Sequence, residues 1–349
     1  MMMKTIDLRS DTVTLPTEEM LQAMTTAELG DDILGEDPTV HKLEELGASI
    51  FGKEASLLTI SGTMANQVAV MTFTRRGQEV ILGRESHMYN LEVAALATMS
   101  QVQVRSISCP AGFIDPVEVE DAIQSPGIQK ATTGLICIEN TYNLNRGFAI
   151  SLENTEQISA IGRRHGIPFY LDGARIFNAA LFLGKGVDEL SAPADAVQVC
   201  LTKGLSAPLG SLLVGNKDFI EEARRIRQRI GGGMRQAGII AAAGIIGLTR
   251  MVDRLSEDHD NARVLASGLR EIDERLLSYE VQTNIVSIDV GPLGIDGDSF
   301  LNQVMARGIK IKKIGAASFR MICHHGIGPE EVDEVLIALK DIIKRNARA

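Results

Sequence analysis

Short apolar runs alternate with amphipathic stretches along most of this chain, and no other feature restricts the fold as much. Buried parallel strands read as continuous Val/Ile/Leu-rich runs, and the crossover helices between them carry a single apolar stripe. The class is therefore α/β. Strands are predicted at Ala55–Ile60, Glu79–Leu82, Gln103–Ile107, Gly134–Glu139, Pro168–Leu171, Ala196–Leu201 and Ser211–Val214, with helices near Thr63–Thr74, Val117–Ile123, Leu152–Arg164 and Asp218–Gln228. Ser151 is placed to cap the start of the third of these helices and Gly166 its end. Beyond Gly231-Gly232-Gly233 the pattern becomes one long helical stretch, Gly238 to about Ile272, that bridges two lobes. A small α+β unit follows: strand Asn284–Val290, helix Gly297–Arg307, strands Ile309–Lys312 and Ser318–Ile322, and helix Glu330–Lys344 opened by Pro329. The first 25 residues, polar over Asp7–Thr14, read as an arm that must lie on something else.

Composition then removes whole function classes. With 349 residues, 45% of them hydrophobic, the chain buries a large core, and 35 Lys and Arg against 45 Asp and Glu leave a net charge of −10, which argues against a nucleic-acid partner. No run of eighteen apolar residues occurs, and the first eleven residues lack an apolar segment behind a basic start, so neither a membrane span nor conventional secretion is expected. The four cysteines form no CxxC pair, and Cys137 and Cys200 lie in apolar runs, which fits a reducing cytoplasm. Nucleotide-binding glycine motifs, H-E-x-x-H and G-x-S-x-G are all missing. His324 and His325 beside Cys323 fall on opposite faces of a strand, so no metal is expected there.

Three pieces converge on one chemistry. Asp172 follows the buried run Ile167–Leu171, at the carboxyl end of a strand, where open parallel sheets place their ligands. Lys203 follows the next strand in the same way. Taken alone, these two opposite charges are as well explained by a structural ion pair. Ser61-Gly62-Thr63 joins a strand to a helix start, a place suited to an anion but also to an ordinary N-cap. An anion cradle, a carboxylate and a lysine at one sheet edge together fit pyridoxal 5′-phosphate, with phosphate on the helix, Asp172 on the ring nitrogen and Lys203 on the aldehyde.

From about Ile6 to about Ile343 the chain resembles the low-specificity L-threonine aldolases, in the β-eliminating lyase group of fold-type I pyridoxal-phosphate enzymes. The matching segments are Leu8-Arg9-Ser10-Asp11-Thr12-Val13-Thr14, Gly30-Asp31-Asp32, Gly35-Glu36-Asp37-Pro38-Thr39, Ser61-Gly62-Thr63-Met64-Ala65-Asn66 and Glu139-Asn140-Thr141. They continue with Asp172-Gly173-Ala174-Arg175-Ile176-Phe177-Asn178, Thr202-Lys203-Gly204 and Gly231-Gly232-Gly233-Met234-Arg235-Gln236. The resemblance implies a mostly parallel central sheet sandwiched by helices plus a small C-terminal α+β domain. Its layout is an N-terminal arm (1–25), a large cofactor-binding domain (26–245) and a bridging helix with the small domain (246–349). It makes Lys203 the Schiff-base lysine, Asp172 the partner of the ring nitrogen and His87 the residue stacked on the ring. Ser61, Gly62 and Thr63 hold the phosphate. Arg235 reaches a neighbouring subunit's phosphate, within a homodimer or homotetramer that shares its active sites. Ser10, Arg175 and Arg320 hold the substrate carboxylate, a task suited to arginine's planar fork.

The implied reaction is retro-aldol cleavage of a β-hydroxy-α-amino acid to glycine and an aldehyde. Two positions depart from the family pattern: Leu34 stands where a tyrosine is usual and Tyr142 where a histidine is usual, both expected beside the substrate's β-substituent. A tyrosine ionises near ~10 and accepts a proton only if that value is lowered, so base duty passes to His87 or an ordered water. An apolar Leu34 suggests a changed or larger side-chain preference at the β-substituent. The alternatives are β-elimination on the same scaffold and a catalytically silent binding protein, the latter disfavoured by the intact Asp172, Lys203 and Arg175.

Overall fold

The computed structural model describes residues 5–346. Among these the strands, in chain order, are β1 (Ile6–Asp7), β2 (Ala55–Thr59), β3 (Glu79–Gly83), β4 (Gln103–Ile107), β5 (Thr133–Glu139) and β6 (Phe169–Asp172). They continue with β7 (Ala196–Cys200), β8 (Ser211–Gly215), β9 (Ile285–Asp289), β10 (Ile309–Lys310), β11 (Lys312–Lys313) and β12 (Ser318–Ile322). The chain forms two compact units: Leu15–Val252, and a smaller one that joins the residues up to Thr14 with those from Asp253 onward.

The larger unit is built on a seven-stranded sheet in the order β2-β8-β7-β6-β5-β3-β4. The β7-β6-β5-β3-β4 neighbours are parallel, and β8 runs antiparallel between β7 and β2. The carboxyl ends of β2, β3, β5, β6 and β7 therefore share one edge. β3, β5, β6, β7 and β8 are buried along their whole length, as continuous apolar runs demand. Helices Gly62–Phe73 and Lys217–Arg229 pack on one face, joined by Phe73 stacked on Phe219 at a centroid distance of 4.5 Å.

In the smaller unit β11, β12 and β9 form an antiparallel sheet whose apolar face packs against helices Leu255–Ile272 and Pro329–Asn346. Of the expected 25-residue arm, residues 5–14 lie on this unit and belong to it, while the chain from Leu15 belongs to the larger one. β1 pairs with β10, and the buried Ile6 and Leu8 fix it there, with Leu8 exchanging backbone hydrogen bonds with Lys310 and Ile322. Two alternate apolar residues in a polar stretch are too few to show as a pattern. Glu18–Thr26 is a helix of the larger unit, capped by Thr17. The stretch expected to be one helix from Gly238 to Ile272 is broken: an α-helix ends at Ile246, Gly247–Met251 is a π-turn, and a new α-helix starts at Leu255. Thr249 Oγ1 bonds back to the Ile245 carbonyl at 2.8 Å, a contact that bends helices. The boundary between the units falls here, after Val252 rather than at 245. No helix among the described residues is long and apolar enough to cross a membrane.

Candidate active site

A cavity of about 170 Å³ opens at the common strand edge, lined among others by Ser61, Gly62, Thr63, His87, Asp172, Arg175 and Lys203. Each residue arrives there for a local reason. Ser61 ends the turn after β2 and caps the helix Gly62–Phe73, its oxygen accepting from Met64 N at 3.2 Å. The first N–H groups of a helix have no acceptor within it, and Gly62 and Thr63, which carry two of them, line the cavity. Gly62 must be glycine: a Cβ there would meet Cys200 Sγ at 2.7 Å. Lys203, three residues past β7, places Nζ 3.2 Å from the same sulfur. Arg175 is buried just before the helix Ile176–Leu183.

Asp172 ends β6 and is buried beneath the cavity. Three N–H donors aim at its carboxylate: Asn66 Nδ2 at 2.9 Å, Ala174 N at 3.2 Å, and Gln198 Nε2. The Tyr170 hydroxyl donates to Asn66 Oδ1 at 2.8 Å, which fixes that amide with its NH2 toward Asp172. Gln198 stands in the middle of β7, the one polar side chain in Ala-Val-Gln-Val-Cys. A polar residue inside a fully buried strand requires a partner, and that was the signal available in the sequence for Gln198.

Glu139 ends β5, directly opposite Asp172 in the strand register. It accepts from His87 N at 2.6 Å and Asn143 N at 3.0 Å. Burial, and then the charge of Asp172, push its carboxyl up to about 7 in spite of those donors. His87 opens a single helical turn after β3 and places Nδ1 2.9 Å from Glu92 Oε1. Burial pulls the imidazole down, but the Glu92 hydrogen bond and the fields of Asp172 and Glu139 outweigh it, and Lys203 opposes them only in part, so its pKa is raised. Glu92 was not singled out from sequence, since it follows no strand and belongs to no periodic face.

Five expected site residues are not among those that line this cavity, three of them in the larger unit. Tyr142 is buried with its hydroxyl accepting from Glu85 N at 3.1 Å, and burial drives its ionisation far above the ordinary phenol value. Leu34 is 66% exposed in the turn that Asp31 closes by accepting from its N–H. Arg235 is exposed and paired with Asp31 at 2.9 Å. Ser10 and Arg320 belong to the smaller unit: Ser10 caps a 3-10 turn at Asp11–Val13, and Arg320 is buried on β12, donating to the Arg9 carbonyl at 3.2 Å.

The β-eliminating lyase profile matches residues 7–291. The chain is 40% identical over 342 residues to low-specificity L-threonine aldolase 1 of Arabidopsis thaliana, covering 96% of each. It is 40% identical over 332 residues to the low specificity L-threonine aldolase of Escherichia coli K12, covering 95% of this chain and 97% of the other. A solved structure of threonine aldolase from Leishmania major superposes with a TM-score of 0.83 at 18% identity, over 97% of this chain and 99% of that one, which shows the shared fold-type I architecture. A family profile over most of the chain and end-to-end identity of this order show that it belongs to the β-eliminating lyases and, among them, to the low-specificity L-threonine aldolases.

Proposed function

We propose that the cavity at the carboxyl ends of β2, β5, β6 and β7 binds pyridoxal 5′-phosphate and performs retro-aldol cleavage there. The protein is a carbon–carbon lyase that splits a β-hydroxy-α-amino acid of the threonine or allo-threonine kind into glycine and an aldehyde. The observation that carries this reading is the enclosure, in one cavity, of Lys203, the helix start at Gly62-Thr63 and a buried Asp172 held by three donors. These residues fit the cofactor by kind: an amine, a helix start whose first N–H groups have no acceptor within the helix, and a buried carboxylate fixed as an acceptor. When bound, the cofactor supplies an aldehyde that condenses with amines and a cationic ring that withdraws electrons from a breaking Cα bond.

The chain's own residues do the rest. Gly62 and Thr63 anchor the phosphate with backbone N–H groups and the helix dipole. Asp172 keeps a proton on the ring nitrogen, because Asn66, Ala174 and Gln198 hold its carboxylate in place without neutralising it. Lys203 Nζ would be the amine that holds the cofactor's aldehyde. Arg175 orients the substrate carboxylate and with it the bond that breaks, which is a positioning task. His87 is the proton acceptor for the β-hydroxyl, since Tyr142 is turned away. The parts given to Ser10, Arg320 and Arg235 rest on the family resemblance, as do a homodimer or homotetramer with shared sites and a cytoplasmic setting.

The test supplies threonine, β-phenylserine and an amino acid with a β-leaving group separately to the holoenzyme. Glycine and an aldehyde from the first two are expected; pyruvate and ammonia as the main products would replace this reading with β-elimination.

A further inference from the structure

Glu92 is a carboxylate with an enclosed side chain, and the reaction as described above does not call on it. Its two oxygens receive three donors. Oε1 takes His87 Nδ1 at 2.9 Å and Asn66 Nδ2 at 2.8 Å, and Oε2 takes Gln67 Nε2 at 2.9 Å. Both amides are locked from behind: Tyr170 donates to Asn66 Oδ1, and Ser100 donates to Gln67 Oε1 at 2.8 Å. Each can therefore turn only its NH2 toward Glu92. An ionised carboxylate accepts and never donates, so the proton in the contact with His87 must be on Nδ1.

We propose that Glu92 is a positioning residue that holds His87 as its Nδ1–H tautomer, leaving Nε2 as the ring nitrogen that accepts the proton of the substrate's β-hydroxyl. This rests on the aldolase reading. In the step, the O–H bond breaks and an N–H bond forms at Nε2. The oxygen's electron pair becomes the second bond of the aldehyde carbonyl, and the pair of the Cα–Cβ bond stays with the glycine fragment. The proton count closes when that Cα takes up one proton, formally the one the hydroxyl lost.

Asn66 extends the contact, because its single NH2 spans Glu92 and Asp172 at 2.8 and 2.9 Å. The orientation of His87 is thereby tied to the carboxylate that serves the ring nitrogen. The charged groups around His87 are Glu92, Asp172 and Glu139 on the acidic side, with Lys203 opposing them and Arg175 lining the same cavity. Removing the charge of Glu92 takes away the strongest of the forces that favour imidazolium.

The test uses enzyme labelled in the imidazoles of its six histidines, with His87→Asn to assign the resonance. In wild-type apoenzyme, neutral His87 should show nitrogen shifts of the Nδ1–H tautomer. Glu92→Gln should lower its pKa by about one unit, and the acid limb of kcat/KM in the holoenzyme should move down with it while KM stays within about threefold. Wild-type His87 in the Nε2–H form would overturn the proposal, and so would a folded Glu92→Gln with resonance and limb unmoved. An equal limb shift when Glu92→Gln is added to His87→Asn would do the same. The tautomer measurement needs no turnover, so products of β-elimination would remove the aldolase reading while this measurement still decides the role of Glu92.

Discussion

At Tyr142 the hydroxyl is spent on structure: it accepts the Glu85 N–H at 3.1 Å, and a Cβ at Gly83 would meet it at 1.9 Å. Motif matching put this side chain beside the β-substituent because a histidine is usual at the same place. The longer phenol instead reaches past the cavity into the loop after β3, and glycine at 83 gives it room. Tyr142→Phe should therefore leave kcat within about threefold of wild type while lowering stability by about 1 kcal/mol, the cost of a buried N–H without its acceptor. Steady-state kinetics and urea unfolding check both halves. A fall of about a hundredfold in kcat would return the hydroxyl to the chemistry.

Among elements, what the sequence made legible was the strand ends. β4 and β12 coincide with the predicted Gln103–Ile107 and Ser318–Ile322, and the other long strands agree to within a residue or two. Asp172 and Lys203 were found because a charged residue just past an apolar run is easy to see. Glu92 and Gln198 were not, since one follows no strand and the other interrupts a strand by a single residue. The helix Ile176–Leu183 was missed because all its residues but Asn178 are apolar, so it shows no polar face. Pro38–Ile50 had its start signal, Asp37 before Pro38, but the loop closed by Asp37 appears only in three dimensions. That carboxylate also receives Gly30 N at 3.2 Å and Gly238 N at 2.8 Å. The close approach of the helix Gly62–Phe73 to β7 can be tested directly. Gly62→Ala puts a methyl 2.7 Å from Cys200 Sγ, which itself lies 3.2 Å from Lys203 Nζ. A loss of about 1–3 kcal/mol in stability is expected, together with weaker cofactor binding. A thermal melt and a cofactor titration measure the two, and an unchanged melt with wild-type affinity would show that the strand end gives way freely.

On the scale of the whole molecule, each unit has its own apolar core, and the smaller one buries a histidine with it. Burial of His259, helped by the Arg263 cation, lowers its pKa from 6.5 to about 4. The folded chain then binds fewer protons than the unfolded chain between those values. Its contribution is fully present above pH 6.5 and is lost as pH falls toward 4, by up to about 3 kcal/mol. Urea unfolding of wild type and His259→Gln at pH 7 and pH 5 should give a shallower decline for the variant, and parallel declines would assign the acid sensitivity elsewhere. The claim on which the catalytic reading depends is chemical and sits on one nitrogen. Borohydride reduction of the holoenzyme, followed by peptide mass mapping, should place the pyridoxyl mass on Lys203 alone, with none retained in Lys203→Ala. A label on another lysine, or no label in protein that binds the cofactor, would contradict it.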